Sequence, residues 1–301
     1  MADLQNELTW SASRHGCFSS CRRRYYYNYY GSWGGWSYKA TPECRELYML
    51  KKMGTRHMWM GKVVHAAVQA ALDARHHEQR VVDCATLKER VLQTMRQEFR
   101  NSREGAYRSD PKKYPGLLEH EYGEDVPDSE WKKLAEDAQL CVENLHAMPL
   151  WQELMSLDTS AWLEWEAMNG FAHRGLKVWA VLDFARRKGD AIEIYDWKTG
   201  KPREEAADLQ MGVYSMYAHG KWQVPLEKIS AHLVYVQAGK IVTHRPDAAW
   251  VERARMQMDE SITAMKALLR TPTQVAIEDC PLTESIAECR QCAFRRLCGR
   301  T

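Results

Sequence analysis

The stretch that most limits what this chain can fold into runs from Val178 to Lys201, VWAVLDFARRKGDAIEIYDWKTGK. Its two apolar halves flank Arg186-Arg187-Lys188-Gly189-Asp190, a charged, glycine-containing break of the kind that closes a hairpin. Side chains alternate along a strand. Trp179, Val181 and Asp183 therefore share one face of the first expected strand, and Ile192, Ile194, Asp196 and Lys198 one face of the second. Asp196 and Lys198 leave the sheet together, one pleat repeat apart, before Thr199-Gly200-Lys201-Pro202 ends the strand. Two carboxylates suit a hard divalent cation, which keeps water and substrate oxygens as its other ligands. Such a cation acidifies bound water and offsets charge on a phosphate, and a neighbouring ammonium can orient the attacking water. An isolated D-x-K is usually just a solvated strand exit. The hairpin and its acid lift this one above that.

Composition is ordinary for a globular protein: 301 residues, 45% apolar and 27% charged, enough for a sizeable core. There is no run of 18 apolar residues and no apolar signal core near the N-terminus, so an intracellular, cytoplasmic protein without membrane association is expected. Nine cysteines, an odd number, fit metal or cluster binding better than a disulfide framework. The net charge of +2 hides a strong pattern. Residues 14–62 carry ten Lys/Arg against two Glu, residues 111–170 four Lys against thirteen acids, and residues 286–301 four Arg against one Glu. If the two basic ends meet, they form one face for a polyanion.

Along the chain, residues 10–38 set Arg22, Arg23 and Arg24 beside the five tyrosines of 25–30, Trp33 and Trp36. Guanidinium on phosphate and rings on bases suit single-stranded nucleic acid, though most of these tyrosines read as core, and the arginines are the better binding candidates. Residues 56–74 form a helix with Met60, Val63, Val64, Ala67, Val68, Ala71 and Leu72 on one stripe. His65 lies beside that stripe, which is usually the place of a satisfied core histidine but also allows it to face an interior site. Residues 84–101, 128–147 and 149–157 read as helices, and 75–158 as a helical insertion in a single domain of 1–301. Strands follow in 159–245. WLEWEAM, Asn169-Gly170 and the strand towards Asp183 predict a hairpin, with Glu164 and Glu166 as solvent-facing strand residues within reach of the site. Residues 203–220 form an amphipathic helix buried through Ala206, Leu209, Val213, Met216 and Tyr217, with Gln210 and Tyr214 neighbours on one face. A hairpin at 231–245 and a helix at 247–270 complete the body of the chain.

Near the C-terminus, Cys289, Cys292 and Cys298 fall within ten residues, a sharp metal signal. Tetrahedral zinc or an iron–sulfur cluster wants a fourth thiolate, and Cys17, Cys21 and Cys280 are the candidates. Were it Cys21, the metal would tie the chain's two ends together and stabilise the fold outright.

Taken in order, His65, Asp183, Asp196-x-Lys198, Gln210-x-x-x-Tyr214, an N-terminal cysteine and C-x₂-C-x₅-C resemble the RecB-like branch of the PD-(D/E)XK nucleases. The likeness is to its iron–sulfur type, shared by small CRISPR-associated exonucleases and the nuclease domain of AddB. It spans Trp10 to Cys298 apart from the insertion. The resemblance implies an α/β restriction-endonuclease-like core: a mixed sheet flanked by helices, with the ends clamped by a cluster. It implies Mg²⁺ or Mn²⁺ on His65, Asp183, Asp196 and the Trp197 carbonyl. Lys198 would position water, with Gln210 and Tyr214 supporting it. It further implies a [4Fe–4S] cluster on Cys21, Cys289, Cys292 and Cys298, in the segment 280–301 and around Cys21, with Cys17 a bystander. Aspartate at 196 stands where the family often has glutamate. The activity implied is hydrolysis of DNA, at single-stranded ends, in repair, recombination or defence. The chain contains no G-x-x-x-x-G-K-[ST] and so no recognisable ATPase of its own; the resemblance implies a helicase or a larger genome-defence or repair complex as partner. The rival is a non-catalytic, cluster-bearing subunit that binds DNA ends.

Overall fold

The computed structural model describes residues 5–201 and 205–300, with the side chains of 205–207 left out. Helix α1 (Ala12–Ser20) begins where Ser11 caps the Arg14 amide, and α2 (Arg22–Tyr26) where the Cys21 sulfur accepts from Arg24 N. A π-helical turn, Tyr27–Gly31, prolongs α2, and α3 (Pro42–Lys52) follows with proline in its first turn. The apolar stripe from Met60 to Leu72 builds α4 (Arg56–Glu78), which ends at Gln79 in the left-handed region. Helices α5 (Cys84–Arg103), α6 (Leu118–Glu121), α7 (Asp128–Ala147) and α8 (Pro149–Ser156) occupy the expected helical stretch.

The sheet comprises β1 (Trp162–Glu164), β4 (Phe184–Lys188), β5 (Ala191–Lys198), β6 (Ile229–Tyr235) and β7 (Lys240–His244), in that order. It is mixed: β5 and β6 are parallel and the other neighbours antiparallel. A parallel pair needs a crossover, and α9 (Glu205–Trp222) supplies it. Alternation assigns the two faces. Tyr195 and Trp197 of β5 join α4, α5, α7 and α8 in one apolar cluster, whereas Ile192 and Ile194 join α9 in another. Helix α10 (Ala248–Ala267) packs on α9 so closely that a Cβ on Gly212 would lie 2.4 Å from that of Ala254. The chain closes with β8 (Leu269–Thr271), β9 (Gln274–Val275) and α11 (Ile286–Arg290). No helix among the described residues is long and apolar enough to cross a membrane.

Three expectations need correction. The hairpin before Asp183 is a separate ribbon, β2 (Gly170–His173) with β3 (Leu176–Trp179), and its turn is Arg174-Gly175, both at positive φ. Gly170 serves a close approach instead: a Cβ there would lie 2.0 Å from the Val178 carbonyl oxygen. The strand meant to carry Trp179, Val181 and Asp183 is also broken. Trp10 takes the outer edge of β3, bonding to Lys177 O and from Trp179 N, and the chain re-enters the sheet only at Phe184. Finally, Leu269 belongs to β8 and not to the preceding helix. The expected placements of Pro202 and Arg203 lie outside the described residues, as does the side chain of Ala206.

One buried ion pair fixes the hairpin to the helices. Arg186, 1% exposed, faces Glu193 across the β4–β5 register at 2.6 Å and reaches Glu153 of α8 at 3.0 Å. Burial alone would raise the Glu193 carboxyl, but the Tyr195 hydroxyl and the Arg186 guanidinium outweigh it and hold the group below its ordinary range. A carboxyl depressed in the folded state stabilises above its unfolded pKa, about 4.3, and that contribution is lost as pH falls through the folded value. Urea unfolding should show Arg186→Met less stable by about 3 kcal/mol at neutral pH, because Glu193 loses its buried cation and keeps only the exposed Lys188 at 3.6 Å. The variant should also lose less stability on acidification below about pH 4.3 than the parent does.

Candidate active site

The end of β5 is where the two faces of the sheet meet. Helix α4 brings His65 from one side: its Nε2 lies 2.8 Å from the Trp197 carbonyl oxygen, which fixes the ring and leaves Nδ1 facing acids. That Nδ1 is 3.6 Å from Glu166 and 3.7 Å from Asp183. Asp183, at the bend before β4, accepts from Trp197 N at 2.6 Å, so a single residue of β5 orients the imidazole through its carbonyl and the carboxylate through its amide. Ligand atoms of His65, Glu166 and Asp183 all lie within 4.8 Å of one another.

From the other face, Asp196 is 2% exposed and its Oδ2 sits 2.5 Å from Lys198 Nζ, outside hydrogen-bond geometry. Lys198 donates to Gln210 Oε1 at 3.2 Å. The Gln210 amide donates to Tyr214 Oη at 2.8 Å, which donates to the Val181 carbonyl at 2.6 Å. The sequence placed Gln210 and Tyr214 side by side, and the structure makes them a relay that holds the lysine.

Electrostatics in the pocket is dominated by crowded acids. Burial, then the charge of Asp196, pushes the Asp183 carboxyl up to about 7, and burial likewise raises Asp196. Burial would lower His65, but Glu166, Asp183 and Asp196 reverse this and raise it to about 9. A buried carboxylate oxygen without a hydrogen bond, beside two further acids and an imidazole, fits a divalent cation: hard oxygen donors and one nitrogen.

The expected ligands are partly rearranged. The tight trio joins His65 and Asp183 to Glu166, where Asp196 was expected, and Asp196 stands beside Lys198. The Trp197 carbonyl is engaged by His65. Glu166 had been read as a solvent-facing strand residue. It stands instead after β1, at φ 47, with its amide on Leu182 O and its neighbour Trp165 pinned to Asp73 of α4 at 2.7 Å. The one available signal was its place two residues after Glu164. Glu164 itself is not exposed either: Tyr217 and Lys221 of α9 hold its buried carboxylate.

A second constellation lies where the two ends of the chain meet. Cys21, Cys289, Cys292 and Cys298 line one small cavity. Around it the two ends of the chain meet: Arg23 bonds to Pro281 and Cys280 carbonyls, and the Tyr27 ring lies 5.1 Å from that of Phe294. Cys17 and Cys280 do not line the cavity. Tyr25, Tyr27 and Tyr30 are buried, so they are core, and of the three arginines Arg24 lines the cavity.

Fold and site together define a class: an α/β protein whose mixed sheet ends in a carboxylate–imidazole cluster with a fixed lysine, the equipment of a metal-dependent hydrolase. The family model of the PD-(D/E)XK nuclease superfamily matches residues 9–299, nearly the whole chain, and the chain belongs to that superfamily. Its members are nucleases that use divalent metals such as Mg²⁺ or Mn²⁺, with DNA as the substrate the family implies. No curated protein matches the chain.

The relay yields a direct expectation. Tyr214→Phe leaves the Val181 carbonyl and the Gln210 amide unpaired in a buried setting, which should cost about 1–3 kcal/mol. Urea midpoints of the two proteins would measure it; an unchanged midpoint would mean that the tyrosine hydroxyl carries nothing.

Proposed function

We propose that this chain is a Mg²⁺- or Mn²⁺-dependent deoxyribonuclease of the RecB-like iron–sulfur type, acting on single-stranded ends. The observation that carries this is the convergence of His65, Glu166 and Asp183 within 4.8 Å, with Asp196 and Lys198 beside them. His65, Glu166, Asp183 and Asp196 would hold the cation. When bound, it would acidify water and neutralise charge on the phosphate. The chain's own part is positional. Trp197 keeps the imidazole and the Asp183 carboxylate in place through its two backbone groups. Lys198, steered between Asp196 and Gln210, holds an N–H towards the incoming water and the phosphate oxygens, where negative charge grows. A helicase or a repair or defence complex as the source of ends fits this reading, as does an insertion at 75–158 that adds helices to the nuclease core.

The four cysteines belong to the same reading as ligands of a [4Fe–4S] cluster. Cys21 and Cys292 already accept backbone N–H groups from Arg24 and Phe294, as ligating thiolates do. Burial pushes the Cys292 thiol up to about 11 and raises Cys298.

Two measurements test the reading. With labelled single-stranded DNA and Mn²⁺, wild type should degrade substrate, and Lys198→Ala and Asp183→Asn should be slower by about 10²-fold or more. Equal rates for Lys198→Ala and wild type, or no hydrolysis with either metal, would remove the nuclease assignment. Anaerobically purified protein should be brown and contain iron, and Cys292→Ser should lose colour and thermal stability together. Colourless protein with stoichiometric zinc would replace the cluster by a zinc clamp.

A further inference from the structure

Between the cysteine cavity and the acid site runs a second cleft, with an empty volume of about 1000 Å³. Arg24, Asn28, Tyr29, Lys51, Ser13 and Met58 are among the residues lining it. Arg24 is shared with the cysteine cavity, and Met58 with the cleft that holds His65 and Glu166. The three spaces thus follow one another past the start of α4.

Lys51 and the neighbouring Arg14 lack the partners that surface cations usually have. Lys51 makes no ion pair or side-chain hydrogen bond among the described residues; its ammonium stands 5.5 Å from the Tyr29 ring centre. Arg14, 4% exposed, covers the same ring at 4.3 Å, bonds only to the neutral hydroxyls of Thr9, Tyr25 and Tyr30, and has a buried Nε with no partner. Burial first, then the charges of Lys52 and Arg14, pushes the Lys51 ammonium down to about 8. The acid on the cleft, Glu288, is engaged with Arg24 at 3.3 Å. A half-buried ammonium with cations as neighbours is unfavourable until an anion arrives. The cleft also offers neutral donors, Ser13 and Asn28, and apolar walls from Leu50, Met53 and Met58.

We propose that this cleft binds the sugar–phosphate backbone of a single polynucleotide strand, with Lys51 as its phosphate-binding cation and Arg24 and Asn28 flanking it, so that the same strand continues past Met58 into the acid site. The proposal rests on the nuclease reading for the identity of the polyanion. That reading also supplies the single strand; a duplex is the alternative that the test separates.

Binding read without hydrolysis separates the two claims. Fluorescein-labelled oligothymidine is titrated by anisotropy, without added divalent metal, over a salt series of roughly 50–200 mM. Lys51→Gln should bind about tenfold more weakly at low salt, and its log–log salt slope should fall by about 0.7, one single-strand phosphate contact. Lys51→Arg should restore affinity, and Lys133→Gln, an exposed lysine of α7, should leave it unchanged. With Mn²⁺ added, Lys51→Gln should raise KM and keep kcat. Should Lys51→Gln fail to fold, Arg24→Gln should give the same loss and slope change. Wild-type affinity and slope in the variant, an equal loss from Lys133→Gln, or the same Lys51 dependence with a blunt duplex would each overturn the proposal. A chain that binds through Lys51 but never cleaves sinks the nuclease reading alone; one that cleaves but ignores Lys51 sinks this cleft alone.

Discussion

Crowding carboxylates in a half-dry pocket is unfavourable, and the end of β5 gathers three. Two like charges 4 Å apart repel by about 4 kcal/mol at an effective dielectric of 20, a large part of a domain's net stability of roughly 5–15 kcal/mol. The local compensation is modest: one imidazole, one ammonium and the amide of Trp197. The geometry therefore has to be imposed from outside. Trp197 is 1% exposed beneath α4, and Tyr214 is buried under β4 and β5, so each face of the sheet clamps the strand whose last residues carry the charge. The same arrangement that costs stability gives a cation a set of oxygens already in position.

How far the sequence spoke for this varies with the range of the interaction. The alternation of Ile192, Ile194, Asp196 and Lys198, the stripe on α4 and the four-residue spacing of Gln210 and Tyr214 are local periodicities, and all three are present as read. Asp183 reached the site by a different route. Alternation put it on a continuous strand, whereas a bend after Trp10 pairs with β3 is what aims it at Trp197 N. Glu166 was legible only as an acid within reach of the site, not as one of its ligands. Its position depends on a left-handed backbone and on a tryptophan bonded to Asp73, ninety-two residues earlier in the chain. Neither leaves a periodic trace.

The basic and aromatic N-terminal segment shows how one stretch can be core and surface at once. The rings of Tyr25, Tyr27 and Tyr30 are interior because α1 and α2 fold back over them, and Phe18 packs edge-on to Tyr25 at 4.9 Å. The cations between the rings cannot follow them inside. Arg22 lies across Phe18, Arg23 turns to the C-terminal segment, and Arg24 lines both the cysteine cavity and the neighbouring cleft. The two like-charged ends of the chain, separate in sequence, thus face one another.

That meeting carries a consequence for how the spaces depend on one another. Helix α2 is a little over one turn long and starts at Cys21, whose sulfur caps it. A helix this short has no stability of its own. What fixes it is its attachment to the C-terminal segment through Arg23, Tyr27 and the cysteine cavity. Arg24 takes its place on the cleft from that same turn, and Asn28 from the turn that continues it. Loosening the cavity would therefore displace the cleft before it reached the acids, since α4 and the sheet share a core in which α2 has no part. The acid site is set by packing that spans the protein, the cleft by a single tethered turn.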